Sequence, residues 1–276
     1  MAAALLQLGR LSREMGLGRM GAVATVLPLG TLPYLVWLAP SALVEPWTLL
    51  AGLFALRRVR TWWVEGDAAA LGPAFLALGV GAMTRYEAWG WIALLLVACG
   101  VRQVPGLLRL SVPALVFPVA WCVAQMAWTG NPFNFGLFAH EFLVEDNPDL
   151  SALGRAGQGL AACWELLFPV ALAGVVGLWF ATSLRGLGLV VGAVLAATGL
   201  QLVAHAMGFA GLHNVWRHYL PLLVPVALGV GALVTHVAAR GAVLGWLTLG
   251  LVVQGELLTM DWPPVANEDD LARVAT

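Results

Sequence analysis

Long apolar runs broken by short charged joints set the pattern of this chain. Runs of spanning or near-spanning length fall at about 20–39, 43–56, 69–84, 88–101, 111–129, 160–182, 186–206, 220–239 and 242–259. A helix needs roughly 20 such residues to cross a hydrocarbon core of about 30 Å. Nine segments predict an all-α fold: a polytopic transmembrane helical bundle. Residues 1–19 stand before it as an N-terminal segment, 20–259 form the membrane domain with a loop at 130–159, and 260–276 form a tail. Two runs are short. Residues 69–84 and 88–101 would rise only about 21–24 Å at 1.5 Å per residue, which predicts a helical hairpin whose tip, Thr84 to Ala88, lies below the membrane surface.

The run from Gly21 to Ala39 is longer than the roughly 7–15 residues of a signal-peptide core and reads as a membrane anchor. Leu5, Leu6, Leu8 and Leu11 look like the end of a helix that begins earlier, so a missing upstream part is expected.

Composition agrees with the pattern. Hydrophobic residues make up 61% of the chain and charged residues 11%, well below the roughly 25% charged of soluble domains. A net charge of −1 leaves no basic surface for nucleic acid. The distribution of the 14 basic residues, all arginine, sets an expected orientation. With the N-terminus cytoplasmic, Arg10, Arg13, Arg19, Arg57, Arg58, Arg60, Arg102, Arg109, Arg185 and Arg240 fall inside. Only Arg85, Arg155, Arg217 and Arg273 fall outside, as the positive-inside bias demands. Twelve of the 15 acidic residues lie toward the outer face, which is therefore the expected working face, in an inner (plasma) membrane.

Charge inside such a chain points to function by default, because an unpaired ion in hydrocarbon is costly. Arg85 and Glu87 sit at the hairpin tip in Met83-Thr84-Arg85-Tyr86-Glu87-Ala88-Trp89. Two readings stay open: pairing of Arg85 with Glu87 or Glu45 to fix the hairpin, or capture of a ligand anion. Glu45 precedes Pro46 and suits the start of a helix. Arg217, His218 and Tyr219 offer a cation, a titratable ring and an aromatic platform equipped to hold a phosphate. Trp216 and Tyr219 alone would be interface anchors. His205 falls near the outer end of its segment, and His236 near the inner end reads as packed or pore-facing.

The loop at 130–159 mixes Phe133, Phe135, Phe138 and Phe142 with His140, Glu141, Glu145, Asp146 and Asp149. Glu145 to Asp149 could offer oxygens to a divalent metal, but the spacing is not an EF-hand and a solvated turn is the simpler reading. Thus no cofactor is assigned, with a divalent cation left open. Cys99, Cys122 and Cys163 show no metal or redox spacing and read as packing. Nucleophile-elbow, H-E-x-x-H and phosphate-loop patterns are lacking.

Four pieces taken in order resemble the integral-membrane glycosyltransferases of the GT-C superfamily, especially relatives of the protein O-mannosyltransferases and of the aminoarabinose and Rgt-type transferases. Leu43-Val44-Glu45-Pro46-Trp47 is similar to their "SEP" helix start, and Gly81 to Trp89 to their "GLAxLTRYEA" hairpin. Trp128 to Phe133 resembles "GNPFYF", and Arg217 to Pro225 resembles "RYLLPLLP". The resemblance covers about residues 5 to 240.

It implies hexosyl transfer from a polyprenyl-phosphate-linked sugar donor, with membrane lipids around it, to an acceptor at the outer face. Glu45, Arg85, Glu87, Arg217 and His218 are then the expected substrate-binding residues. The acid that such enzymes carry in a first outer loop would lie upstream of residue 1, so no catalytic residue is assigned and the chain alone is expected to show no transfer. A non-catalytic membrane protein or a transporter of lipid-linked sugars is the alternative.

Overall fold

The computed structural model describes residues 1–32, 45–134, 151–181, 184–209 and 215–259. All regular structure among them is helical: α1 (Ala2–Glu14), α2 (Arg19–Thr31), α3 (Glu45–Glu65), α4 (Leu71–Thr84), α5 (Glu87–Val101), α6 (Leu107–Thr129), α7 (Ala152–Phe180), α8 (Leu187–Ala206), α9 (Leu223–Ala238) and α10 (Ala242–Thr259). Short 3₁₀ turns cover Ala68–Ala70 and Val215–Leu222. Most of the loop expected at 130–159, including His140, Glu141, Glu145, Asp146 and Asp149, lies outside the described residues, as does the tail 260–276.

Among the described residues three helices are long and apolar enough to cross a membrane: Leu107–Thr129, Leu187–Ala206 and His218–Ala238, the last including the end of the 3₁₀ turn. A fourth span results if the two halves of α7, bent by 79° where the sequence has Pro169, act as one. In α6 and α8 only 11% of the apolar window is buried. Leu108, Trp128 and Val101 project outward from the bundle. Apolar surface of that extent needs an apolar surrounding, which a bilayer supplies.

The helix bounds show where counting apolar residues misleads. α3 was expected to end near residue 56, yet it continues through Arg57, Arg58 and Arg60 to Glu65, because arginine is a good helix former wherever its head can reach a partner. Its 21 residues then rise about 31 Å. α7 begins eight residues before the expected 160, where the Ser151 hydroxyl accepts from Gly154 N at 3.1 Å and caps the first turn. The hairpin α4–α5 keeps its expected shortness, at 14 and 15 residues.

The arginine-bearing ends collect at one end of the bundle. Arg57 pairs with Glu14 and Gln7, Arg60 donates to Glu65 and to the Arg185 carbonyl, and Arg102 lies over the Trp63 ring at 3.5 Å. α1 is built into the same region, with Leu8, Leu11 and Met15 buried in the main core.

α9 is the central element. Residues on every side of it, from Leu223 to Val234, are buried, as a helix surrounded by other helices requires. Glycine lets its neighbours approach. A Cβ on Gly229 would lie 2.0 Å from the Gly174 carbonyl oxygen of α7, and one on Gly231 would lie 2.6 Å from the Gly21 carbonyl oxygen of α2. Without a hydrophobic drive between helices in lipid, such close backbone packing is what holds them.

Gly229→Ala is therefore expected to push α7 from α9 and destabilise the protein by about 1–3 kcal/mol, read as a lower Tm in detergent micelles. Gly192→Ala, where a Cβ meets nothing within 4 Å, is the control and should be neutral or slightly stabilising. Equal Tm values for the two variants would refute the close-packing account.

Candidate functional site

The hairpin tip is a single extended residue between two helices. Arg85, at φ −152° and ψ 137°, leaves the α4 helix while its N–H still donates to Gly81 O at 3.0 Å. α5 restarts at Glu87, so a carboxylate occupies the first turn, where the helix dipole favours it. Glu45 occupies the same position in α3. Below the tip, the Thr84 hydroxyl donates to Gly81 O at 2.7 Å and so accepts from the Thr48 hydroxyl at 2.9 Å. That bond fastens α3 to the hairpin.

Arg85 lies between the two carboxylates. Its Nη1 donates to Glu45 Oε1 at 2.7 Å, while Nε reaches Glu87 Oε2 at 3.0 Å and Nη2 reaches Glu87 Oε1 at 2.5 Å. Glu45 is only 2% exposed. Removing an ion from water costs several kcal/mol even after relaxation, whereas one pair about 4 Å apart returns about 4 kcal/mol at an effective dielectric near 20. A single pair would scarcely break even. Two carboxylates on one guanidinium fork, one of them bidentate, make the burial tenable.

His218 closes the cluster from the 3₁₀ turn. Its Nδ1 lies 2.5 Å from Glu87 Oε1 and 3.0 Å from Arg85 Nη2. Guanidinium nitrogen can only donate and carboxylate oxygen can only accept. Two acceptors would repel at 2.5 Å, so Nδ1 carries the proton and donates to Glu87, and the approach to Arg85 is a contact without a hydrogen bond. Only Nδ1 of this ring is engaged; Nε2 has no hydrogen-bond partner among the described residues.

Beside it stand the buried His205 and Tyr219 and the partly buried Gln201. The His218 ring meets the His205 ring edge-on at 5.3 Å, and His205 stacks on Tyr219 at 5.6 Å. His205 Nδ1 lies 3.1 Å from the Tyr219 hydroxyl and 3.1 Å from the Gln201 backbone carbonyl. The Gln201 side-chain Nε2 is buried and meets no hydrogen-bond acceptor. An unsatisfied buried donor costs about 1–3 kcal/mol.

The ion cluster and Gln201 border one cavity of about 750 Å³, within the roughly 300–1,000 Å³ of small-molecule sites. Glu45, Arg85, Glu87, His218 and Gln201 form its polar part. Leu49, Leu53 and Leu56 of α3, Trp89 and Trp91 of α5, Val194 of α8 and Leu220 give it long apolar walls.

Of the residues singled out by sequence, Glu45, Arg85, Glu87 and His218 come together here, and the Arg217 side chain lies outside the described residues. Gln201 escaped notice, although one amide within the apolar run of α8 was a usable signal. His236 is packed, stacked on Phe180 at 4.1 Å. Cys99 is buried in the core shared by α3, α4, α5 and α6. Among the described residues no three His, Cys, Asp or Glu side chains gather as around a metal ion; the guanidinium fills the centre of the cluster instead.

Arg85→Met should cost about 3–5 kcal/mol, since it strands a buried carboxylate. Adding Glu45→Gln to it should recover part of that loss, read as Tm in detergent. A second substitution that lowers Tm further would show that the pair does not hold this end together. Comparison with protein-family models, curated proteins and solved structures finds no match to the chain.

Proposed function

We propose that this chain is a multi-pass protein of the plasma membrane that binds a polyprenyl-phosphate-linked sugar, as a GT-C-type glycosyltransferase would. The observation that carries the reading is the cavity: apolar over most of its wall and ionic at one end, it suits a ligand with a greasy body and a polar head. The head and first isoprene units would occupy it, and the remaining lipid chain would lie in the bilayer. The order of the four sequence pieces supports the same reading, since three of them supply the cavity's polar lining or the helix bearing it.

Binding without transfer, in a non-catalytic partner or a carrier of lipid-linked sugars, would use the same ligand. The engagement of Arg85 by two carboxylates favours that second reading, because a guanidinium so held is not free to stabilise a departing phosphate. By sequence, Arg217 stands beside His218 and is the other cation to substitute when the two readings are compared.

The proposed topology has nine membrane segments, a cytoplasmic N-terminus and the polar end of the cavity toward the outer face. The gathering of Arg57, Arg60, Arg102 and Arg185 at the end of the bundle away from Glu45 supports it.

Two measurements test these proposals. In nanodiscs the chain should bind undecaprenyl phosphate carrying a hexose, and Ala197→Trp, which fills the apolar part of the cavity, should weaken binding at least about tenfold. Absence of binding, or binding indifferent to Ala197→Trp, would reject the ligand. In intact cells a membrane-impermeant thiol reagent should label Ala152→Cys and spare Ala68→Cys; the reverse pattern would invert the orientation.

A further inference from the structure

The arginine-rich end of the bundle has more cations than acids to pair them. The three acids expected on that side are engaged: Glu14 with Arg57, Glu65 with Arg60, and Asp67 in accepting from the Ala69 N–H at 3.0 Å. Arg102, which directly follows α5, is held by aromatic rings instead. Its guanidinium carbon lies 3.5 Å from the centre of the Trp63 ring and 5.5 Å from that of Trp62, both in the last turn of α3. A guanidinium stacked by its face keeps its N–H donors at its edge, and among the described residues no carboxylate or hydrogen-bond acceptor meets them. The surroundings place this cation at the boundary of hydrocarbon. Trp63 and Val64 of α3, Val97 and Val101 of α5 and Leu108 of α6 are all exposed on the outside of the bundle, where lipid covers apolar surface. An arginine with unpaired donors at that level has one abundant partner, the phosphate of a phospholipid, which the guanidinium edge can bind bidentately.

We propose that Arg102, stacked on Trp63, binds the phosphate of an anionic phospholipid in the leaflet at this end of the bundle. Trp63 is the positioning residue: it holds the guanidinium face, so that little freedom is lost when the edge takes a phosphate. The anionic class follows from charge. A zwitterionic headgroup brings its own ammonium toward an end where arginines outnumber acids, whereas phosphatidylglycerol brings none. The site lies at the opposite end of α5 from Glu87 and is independent of what the cavity holds.

The test titrates the full chain in detergent micelles with phosphatidylglycerol, phosphatidylcholine or inorganic phosphate, reading lipid adducts by native mass spectrometry and stabilisation by Tm. Wild type should retain phosphatidylglycerol about fivefold more tightly than phosphatidylcholine. Arg102→Gln should erase most of that preference. Arg240→Gln, at an exposed arginine of the same end that stacks on no aromatic ring among the described residues, should keep it. Trp63→Leu should lose most of the preference and Trp63→Phe, which restores a ring under the guanidinium, should recover it; this pair decides the matter should Arg102→Gln fail to fold. Equal retention of the two lipids by wild type overturns the site. So do equal losses in Arg102→Gln and Arg240→Gln, which would leave only diffuse attraction to the arginine-rich end. Stabilisation by inorganic phosphate equal to that by phosphatidylglycerol would make this a site for a soluble anion and overturn the lipid.

Discussion

Two carboxylates, Glu45 buried and Glu87 partly buried, share one guanidinium and govern the polar end of this protein. Glu45 begins α3, Arg85 is the turn between α4 and α5, Glu87 begins α5, and His218 enters from the 3₁₀ turn before α9. None of these groups could be buried alone at acceptable cost. Bonded to one another, they set how three separate parts of the chain meet. The position of the hairpin, and hence the shape of the cavity, follows from satisfying Arg85.

The other organising feature is steric. α9 is enclosed because Gly174, Gly229, Gly231 and Gly21 let α7 and α2 approach to backbone contact. Its first turns continue from the segment that carries His218 and Tyr219, so the packing that fixes α9 also fixes the ring that faces Glu87. Tyr219 is buried against His205, which adds a second constraint on the same turn. Rigid packing and a polar site thus share one stretch of chain.

Much of this was legible in the sequence because the physics is local. A long apolar run identifies a helix, a short pair with Thr84 to Ala88 between them identifies a hairpin, and a charge within them requires a partner. The partners themselves were less accessible. Glu45 and Glu87 were both named as alternatives for Arg85, yet nothing local says that one guanidinium serves both. That depends on how α3 approaches the tip, which the Thr48–Thr84 bond and the surrounding packing determine. The extent of α3 was misjudged because arginine ends an apolar run without ending a helix. Gln201 was missed for the opposite reason: one polar residue barely changes a run, although its burial beside a cavity makes it conspicuous in three dimensions.

α3 carries polar anchors at both ends, and this limits how the bundle can move. Glu45 is bound to Arg85 at one end, while Arg57 and Arg60 are bound to Glu14 and to the Arg185 carbonyl about 18–22 Å along the axis. A piston-like slide of one helical turn, about 5.4 Å, would break both sets of bonds together and leave ions unpaired at each end. The depth of α3 is therefore pinned. Any opening that admits a ligand past Leu49 and Leu53 has to come from sideways displacement within the bundle and not from an axial slide of α3.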